Sequence, residues 1–341
     1  MKNIEIAQLL QISPATVSLA LNNKPGVSEA TRRKILELKE SSGAGTASES
    51  HPVGELGKIG LFVFKNRADI IDETPFFVTV IEAISSKAKQ LAYKPNIFYS
   101  EAGSISEIVD ELNESDINGL IVVATEMESC HVRYFAEHLK IPFVMMDAAF
   151  PECDVDCVLM NNGGGIKQAV EYGYRMGHQQ IGFLDSAYKC NNFTERYDSY
   201  MCELSRLGLP LNPDHVFSLG PNVEEAREDM QRILEGGAQL PSLLIAANDR
   251  IAIGAIGAIR KAGYRIPEDV SIIGFDDMPT VKYLTPALTS VHLMQEQIAH
   301  IAVNRLIEKM RNPKESGYTL QQYVGVKLEI RDSVRDLNKN S

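Results

Sequence analysis

The chain lacks the features of membrane, secreted and metal-binding proteins. No apolar run approaches the length of about 20 residues that a transmembrane helix needs, and no apolar leader segment follows Met1. The five cysteines are scattered and odd in number, and Cys153 and Cys157 lack the C-x-x-C spacing of a common metal site. We therefore expect a cytoplasmic protein with reduced cysteines, no membrane partner and no metal or other cofactor.

Catalytic signatures are lacking as well. The sequence has no nucleophile elbow, no pair of carboxylates at a catalytic spacing and no metal-binding set, so we do not expect an enzyme. The glycine-rich run 162–167 lacks the spacing of a phosphate-binding loop and is interpreted as a tight turn before a helix. His178 is interpreted as a structural residue, because a lone histidine is weak evidence for catalysis.

Length and charge indicate a globular protein with several domains. Its 341 residues exceed one core of ordinary size, and the apolar (44%) and charged (23%) fractions are those of a globular chain. The net charge is −11, yet residues 1–45 carry six basic against four acidic side chains. Because the acidic remainder repels phosphates, any binding of DNA would have to be through this small basic segment, held as a pair within a dimer.

The N-terminal residues have the pattern of two short helices around a tight turn. Ser13 suits a helix N-cap, Pro14 suits the first helical position, and Ser28 begins a third helix. This pattern is typical of a helix-turn-helix that presents its second helix to DNA. We expect residues 1–45 to form this head, and the small, polar and glycine-rich residues 46–57 to form a linker. The expected inward-facing residues are Ile4, Ile6, Ala7, Leu9, Leu10, Val17, Ala20, Leu21, Ile35, Leu36 and Leu38.

Residues 58–335 alternate between short apolar strands and amphipathic helices. Such alternation predicts an α/β fold of doubly wound parallel sheets, in which ligands bind beyond the carboxyl ends of the strands. The predicted strands are 59–64, 119–124, 143–146, 181–184, 243–247 and 270–275, and the predicted helices are 76–93, 163–176, 196–207, 223–235, 250–262 and 295–310.

Six blocks of the sequence resemble the LacI family of bacterial transcription regulators. They are residues 6–23, 27–32, 177–183, 246–254, 266–277 and 284–291. The resemblance implies an all-α helix-turn-helix head and a core like a type I periplasmic sugar-binding protein, with two doubly wound lobes joined by three crossovers. It implies an N-lobe of about 58–161 and 291–320, and a C-lobe of about 162–290 and 321–335.

The same resemblance implies roles in the head. Pro14 and Ala15 lie where the family contacts base edges, and the positions that contact phosphates are Thr16, Ser18 and Asn22. Leu19 stands where the family often has an arginine that pairs with guanine. Residues 41–57 contain no arginine or lysine and do not match the family's hinge helix, which enters the minor groove. A protein of this fold with weak or no operator binding therefore stays open as an alternative.

For the core, the resemblance implies a ligand, the effector, that is bound between the lobes. The matching positions are Phe76, Asp147, Asn161, Arg196, Asn248 and Asp276. Carboxylate, amide and guanidinium groups suit sugar hydroxyls, so a sugar is the leading expectation and a nucleobase-like molecule stays open. Without the family, Arg196 reads as a surface residue, Asp249 as a helix cap, Asp277 as a turn or cap residue and Phe77 as core.

These observations predict a homodimeric, ligand-responsive repressor that binds operator DNA and a small-molecule effector. Linkage requires effector and operator to change each other's affinity by the same factor. The helix-turn-helix pattern disfavours a transport-type sugar-binding protein. The missing catalytic motifs disfavour an α/β enzyme.

Overall fold

The computed structural model describes residues 6–7, 10, 12–13, 16–17, 20, 27–28, 31–35, 57–65, 75–99, 104–312 and 318–340. The chain divides into two compact units, Met1–Gly54 and Glu55–Ser341. Of the expected linker 46–57, only Gly57 lies within the described residues. The division into head, linker and core at these boundaries therefore stays a prediction.

In the first unit, residues 6–7, 16–17, 20 and 31–35 are helical. The N–H of Thr16 donates to Ser13 Oγ (3.1 Å), and the N–H of Thr31 donates to Ser28 Oγ (3.2 Å). Both serines therefore act as N-caps, as the sequence predicted. Five of the expected inward-facing residues form the buried cluster Ile6, Ala7, Val17, Ala20 and Ile35, with Leu10 packed against it. Outside the described residues lie Ile4, Leu9, Leu21, Leu36 and Leu38.

The second unit contains two six-stranded sheets, and this confirms the predicted doubly wound α/β fold. The strands are β1 Lys58–Val63, β2 Lys94–Tyr99, β3 Gly119–Val123, β4 Phe143–Met146, β5 Cys157–Met160, β6 Ile181–Ser186, β7 Val216–Leu219, β8 Leu243–Ala246, β9 Ser271–Asp276, β10 Thr289–His292, β11 Gln321–Val324 and β12 Lys327–Glu329. The helices are α1 Pro75–Gln90, α2 Ile105–Glu114, α3 Ser129–His138, α4 Asn162–Arg175, α5 Asn191–Leu207, α6 Val223–Glu235, α7 Asp249–Lys261 and α8 Gln295–Arg311.

Each sheet defines one lobe. The N-lobe sheet has the order β11-β5-β4-β3-β1-β2 and its strands pair in parallel. The C-lobe sheet has the order β12-β10-β9-β8-β6-β7, with β12 antiparallel to β10. The central strands are buried along their whole length, which explains why they read as continuous apolar runs in the sequence.

The expected boundary between the lobes near residue 321 is wrong. Strand β11 pairs in parallel with β5 of the N-lobe, from Gln321 beside Cys157 to Val324 beside Met160. The approach to this strand is fixed by Asp156, whose Oδ1 accepts the N–H of Leu320 at 3.0 Å. The chain therefore crosses to the C-lobe between β11 and β12. The boundary near 291 also moves, because β10 belongs to the C-lobe sheet through His292.

Helix α8 follows the second crossover and is fixed to the N-lobe by a buried ionic cluster. Arg305 Nε lies 2.8 Å from Asp156 Oδ1, and Lys309 Nζ lies 2.6 Å from Asp156 Oδ2. Asp156 and Arg305 are both buried, and removal of one partner would leave an uncompensated charge. None of the described helices is long and apolar enough to cross a lipid bilayer.

Candidate ligand-binding cleft

A cleft lies between the two lobes, at the carboxyl ends of their parallel strands. It contains about 400 Å³ of atom-free space, a volume that includes open solvent. The structure brings five of the six expected residues together there. The cleft is lined by Phe76, Phe77, Thr125, Asp147, Met160, Cys190, Asn192, Phe193, Arg196, Asn248, Asp276 and Leu293.

Asp147 lies at the end of β4 and faces the cleft from the N-lobe. Its backbone has φ = 70°, and its side chain is only 3% exposed. Thr125 donates a hydrogen bond to Oδ2, whereas Oδ1 has no hydrogen-bond partner among the described residues. Burial raises the pKa of Asp147 to about 7, and the Thr125 hydrogen bond and the Arg196 charge partly offset that rise. A ligand hydroxyl could satisfy Oδ1.

Arg196 lies in α5 and is 3% exposed. Its Nε donates to Asn162 Oδ1 (2.9 Å), and its Nη1 donates to the carbonyl oxygen of Ala247 (2.6 Å). Nη1 also lies 3.3 Å from Asp276 Oδ1, and the guanidinium stacks on Phe275 at 3.8 Å from the ring centroid. The interpretation of Arg196 as a surface residue is therefore wrong. The guanidinium of Arg196 therefore links the first turn of α4 to the ends of β8 and β9.

Asp276 ends β9 and faces the cleft from the C-lobe, with φ = 101°. Burial raises its pKa to about 6, and the charge and hydrogen bond of Arg196 lower it against that effect. The neighbouring Asp249 is fully buried; its oxygens accept from Ser290 Oγ and from the N–H of Met278, both at 2.7 Å. Burial and the nearby Asp276 raise the pKa of Asp249 well above its usual value.

The helix-cap prediction for Asp249 is wrong, because the cap belongs to Asn248. Asn248 Oδ1 accepts the N–H of Ile251 at 2.9 Å, while the same side chain lines the cleft. Asn161 has the corresponding role in α4, where its Oδ1 accepts the N–H of Gly164 at 2.7 Å. Asn161 is exposed and does not line the cleft, so it differs in position from the other five expected residues.

Apolar side chains form the remaining walls. Phe76 and Phe77 on α1 make an edge-to-face pair with ring centroids 5.1 Å apart, and both are buried. Phe77 is therefore a core residue, as expected, and it lines the cleft as well. Phe193, Met160 and Leu293 complete this surface. Aromatic and aliphatic walls with a few polar groups are typical of sites that bind the C–H faces of a ring.

A second, polar chamber adjoins the cleft. This chamber shares Thr125 and Cys190 with the inner cleft and has about 530 Å³ of atom-free space. Its lining includes Glu126, Glu128 and Lys189, and the Lys189 ammonium pairs with Asp185. Burial raises the pKa of Cys190 to about 11, so that thiol is not a nucleophile at neutral pH.

Two further expectations concern residues next to the cleft. Asp277 follows Asp276 with φ = 52°, and its two oxygens bind His292 Nδ1 (3.0 Å) and Arg331 Nη2 (2.6 Å). Asp277 is therefore a turn residue that also ties the end of β10 to the segment that follows β12. His178 is buried between Ser242 Oγ (2.9 Å) and the carbonyl oxygen of Arg335 (3.1 Å), which confirms its structural role.

Sequence reasoning missed Thr125, which lines the cleft, and Asn162, which binds the cleft residue Arg196. Asn162 is buried and donates to Asn192 Oδ1 (3.0 Å) and Glu195 Oε2 (2.8 Å) while it accepts from Arg196. Its position after a buried strand was the available signal, but the glycines that follow it favoured a simple turn. Thr125 follows β3 in the same way and could have been found by that rule.

Of the residues expected to contact DNA, only Thr16 is described. It is helical, and its Oγ1 lies 2.9 Å from Ser13 Oγ. Outside the described residues lie Pro14, Ala15, Ser18, Leu19 and Asn22.

Two family models match the chain in the order that the sequence predicted. The model of the bacterial regulatory proteins of the lacI family matches residues 4–43, and that of the periplasmic binding protein-like domain matches residues 170–334. The chain thus matches a LacI-family helix-turn-helix domain at its N-terminal end and a periplasmic binding protein-like domain over its C-terminal half. The curated relatives that match it are named as transcriptional repressors and not as enzymes.

Curated relatives align along nearly the whole length of the chain. It is 27% identical over 337 residues to the probable HTH-type transcriptional repressor ExuR of Bacillus subtilis, covering 98% of each chain. It is 28% identical over 327 residues to the ribose operon repressor of Haemophilus influenzae, covering 93% of this chain and 94% of the other. These relatives are named as repressors.

Solved structures show the same fold. The transcriptional regulator CelR–cellobiose complex has a TM-score of 0.72 at 20% identity, covering 98% of this chain and 99% of the other. The lac repressor dimer bound to operator and the anti-inducer ONPF has the same TM-score, identity and coverage. A LacI-family regulator from Enterococcus faecium with bound ribose has a TM-score of 0.68 at 19% identity, covering 82% of this chain and 99% of the other.

Proposed function

We propose that this protein is a cytoplasmic repressor of the LacI family that binds operator DNA as a homodimer. A sugar-like effector lowers or raises its affinity for that DNA. The observation that carries the proposal is the presence, in one chain, of a serine-capped helical head and a cleft with an uncommitted buried carboxylate oxygen. Relatives named as repressors, and neighbours solved with cellobiose or ribose, support the same function.

The head supplies the DNA contacts in this proposal. Short hydroxyl and amide side chains at a helix start reach phosphates, while small apolar side chains can contact a thymine methyl. The proposed contact residues are Pro14, Ala15, Thr16, Ser18, Leu19 and Asn22. One head of 45 residues has little surface for specific recognition, so a pair of heads on a palindrome is needed.

The cleft supplies the effector site. The proposed contact residues are Phe76, Asp147, Arg196, Asn248 and Asp276, with Asn161 as a cap that orients α4 beside them. Effector binding closes the lobes about the three crossovers and so changes the spacing of the paired heads. The size of the change in operator affinity is set by the differential binding energy of the effector for the two states.

A homodimer is supported by exposed apolar side chains on adjacent elements of the N-lobe. Val78 on α1 is 59% exposed, and Ile97 and Tyr99 on the edge strand β2 are 41% and 52% exposed. An edge strand with apolar outward residues needs a covering partner to avoid non-specific pairing. A second copy of the chain is the partner proposed here.

Matched threonine variants test the DNA-binding role. Thr16 and Thr31 make the same local contact, since their hydroxyls lie 2.9 Å from Ser13 Oγ and 2.8 Å from Ser28 Oγ. Thr16→Ala removes a proposed phosphate contact, whereas Thr31→Ala removes only the local bond. Binding is measured by fluorescence anisotropy on a palindromic DNA selected from a random-sequence pool.

We expect Thr16→Ala to weaken DNA binding by about tenfold per dimer, because each protomer loses a hydrogen bond worth about 0.5–1.5 kcal/mol, and we expect the added Ser18→Ala to weaken binding further. Thr31→Ala should bind DNA as the wild type does. Equal affinity of all three proteins, or a failure to select any DNA, would favour the alternative that the head does not bind an operator.

A further inference from the structure

We propose that Asn162 is a positioning residue of the effector site, whose side-chain amide fixes which ends of Arg196 and Asn192 face a bound ligand. The inference rests on the proposed function in treating the cleft as the effector site. Asn162 is buried at the first residue of α4 and is not one of the residues that line the cleft. It acts on the ligand only through the two cleft residues that it binds.

The orientation of the Asn162 amide follows from two partners that can each act in only one way. A guanidinium only donates hydrogen bonds, so the atom of Asn162 that lies 2.9 Å from Arg196 Nε is the oxygen, Oδ1. A carboxylate only accepts, so the atom that lies 2.8 Å from Glu195 Oε2 is the nitrogen, Nδ2. Two independent partners therefore require the same orientation of this amide.

The orientation of Asn162 in turn fixes that of Asn192. Asn162 Nδ2 donates to Asn192 at 3.0 Å, so the receiving atom is Asn192 Oδ1. The amide nitrogen of Asn192, which lines the cleft, is thereby directed away from Asn162. Burial raises the pKa of Asp147, on the opposite lobe, to about 7, and the Asn192 side chain lowers it against that effect. An amide lowers the pKa of a carboxyl group when it presents its N–H end.

Asn162 also determines which nitrogen of Arg196 is left for a ligand. Nε is held by Asn162, and Nη1 donates to the carbonyl oxygen of Ala247 at 2.6 Å. Phe275 covers one face of the guanidinium. Nη2 has the thioether sulfur of Met160 as its acceptor, at 4.0 Å, and Met160 lines the cleft. Because a thioether is a weak acceptor, Nη2 is the N–H group that a ligand oxygen can engage at the lowest cost.

The two donors that Asn162 positions belong to the C-lobe wall of the cleft. On the N-lobe wall, Asp147 Oδ1 has no hydrogen-bond partner among the described residues. A ligand group that bridges the walls must accept from Asn192 or Arg196 and donate to Asp147. A reversed Asn192 amide would instead oppose one acceptor to another and leave both unsatisfied. The buried amide of Asn162 therefore sets the hydrogen-bonding polarity of one wall.

An exchange of amide and carboxylate isolates this role. The double variant Asn162→Asp with Glu195→Gln keeps the side-chain shapes, the net charge, the acceptor for Arg196 and a hydrogen bond between positions 162 and 195. It removes the donor to Asn192 Oδ1, so the Asn192 amide should turn and present its oxygen to the cleft. The variant Asn192→Ala, alone and combined with the exchange, shows whether the effect passes through Asn192.

Calorimetric titration of the full chain with D-ribose, cellobiose, D-galacturonate and hypoxanthine gives the first readout. For the probe that the wild type binds most tightly, we expect the exchange to weaken binding by about tenfold or more. In the Asn192→Ala background, the same exchange should weaken binding by less than about threefold. Equal losses in the two backgrounds, or no loss in either, would overturn the inference, because Asn162 would then not act through Asn192.

The second readout needs no ligand. The pKa of Asp147 is followed through its carboxyl carbon by NMR, with the signal assigned by Asp147→Asn. This pKa should rise in the exchange variant and in Asn192→Ala, and the exchange should add no further rise to Asn192→Ala. An unchanged pKa in the exchange variant would contradict the inference. If none of the four probes binds the wild type, the proposed function fails for these ligand classes, and the pKa of Asp147 decides the inference by itself.

Asn162→Ala serves as the second variant if the exchange protein does not fold. It removes the contacts to both Arg196 and Asn192, so it should weaken probe binding by about tenfold or more and raise the pKa of Asp147. The matched control is Asn113→Ala, because Asn113 also makes two hydrogen bonds, to the carbonyl oxygen of His138 (3.0 Å) and the N–H of Lys140 (2.8 Å), and does not line the cleft. The control should bind the probe as the wild type does, and equal effects of the two alanine variants would overturn the inference.

Discussion

Asp147 and Asp276 occupy equivalent positions in the two lobes. Each lies at the carboxyl end of the third strand in its sheet's order, β4 in the N-lobe and β9 in the C-lobe, and each has a positive φ (70° and 101°). Thr125 and Asn248 follow the next strands, β3 and β8, in the same way. The cleft is thus lined by the same edge of two similar sheets.

This equivalence gives lobe closure a physical basis. Each lobe contributes one carboxylate to the cleft, and the like charges oppose close approach of the two edges until something is placed between them. A ligand with several hydroxyls donates to both sides and removes that opposition. Left-handed backbone at a non-glycine residue is strained, and such strain is commonly found at functional sites.

The first prediction concerns the pH dependence of stability. The pKa of Asp147 is raised to about 7 in the folded protein, mainly by burial, and its ordinary value is 3.8. The folded state therefore binds more protons than the unfolded state between these values, and stability falls as pH rises from about 4 to about 7. Asp147→Asn removes this penalty. We expect the variant to gain on the order of a few kcal/mol relative to the wild type at pH 8 and little at pH 4.

Urea unfolding at pH 4.5, 6, 7 and 8 measures this difference. Glu137→Gln is the control, since its exposed side chain should give a profile parallel to that of the wild type. If the Asp147→Asn and wild-type curves are also parallel over the whole range, the carboxyl group is not protonated in the folded protein and the described environment of Asp147 is wrong.

The second prediction concerns the geometry of Arg196. A lysine keeps the charge at this position but cannot bind Asn162 and Ala247 at once while it stacks on Phe275. Arg196→Lys should lower the free energy of unfolding by about 2–4 kcal/mol and abolish sugar binding. The matched change is Arg206→Lys, at a 45% exposed arginine of the same helix, which should cost less than about 0.5 kcal/mol. Equal losses of unfolding free energy in the two variants would show that the buried contacts of the Arg196 guanidinium add no stability beyond that of an exposed arginine.

The third prediction concerns the tight packing of α4 on the C-lobe. A Cβ at Gly165 would lie 2.7 Å from Phe275 Cε2 and 2.9 Å from Val291 Cγ1. Gly165→Ala must therefore displace the ring that stacks on Arg196, and we expect a loss of about 1–3 kcal/mol. At Gly163 the nearest atom is Ser199 Oγ at 3.0 Å, which a rotation of the serine relieves, so Gly163→Ala should be neutral or slightly stabilising. Chemical denaturation of both variants measures their stabilities. We expect Gly165→Ala to be the less stable of the two, and the opposite result would contradict the prediction.

The fourth prediction concerns the dimer. Val78→Asp places a charge in the exposed apolar patch of α1 and β2 and should shift a micromolar sample from dimer to monomer in sedimentation velocity. Tyr174→Asp, at a 44% exposed residue of α4, should stay dimeric. A dimer that survives Val78→Asp, with an unchanged dissociation constant, would place the interface elsewhere.

The sequence predicted local features better than long-range ones. Ser13 and Ser28 were identified as caps because their partners are three residues away. Asp249 was misread as a cap because its partners, Met278 and Ser290, lie 29 and 41 residues along the chain. Its burial follows from the packing of α7 against the ends of β9 and β10, which no local pattern reveals.

Strand β11 illustrates the same limit. Its residues are mostly exposed and polar, so its apolar pattern is weak, and its assignment to the N-lobe depends on pairing with Cys157–Met160, over 160 residues earlier. Five positions in the cleft were found only through the family resemblance. Arg196 shows why: without its partners in α4 and β8, a charged residue after Thr194 and Glu195 gives no sign of being buried.

Reciprocal linkage tests the central claim most directly. The affinity for the selected palindromic DNA is measured with and without the tightest-binding sugar, and the affinity for that sugar is measured with and without the DNA. A regulator in which the cleft controls the heads must show the same factor in both directions, at least about fivefold. Identical DNA affinity at zero and saturating sugar would contradict the account, whatever each ligand's own affinity.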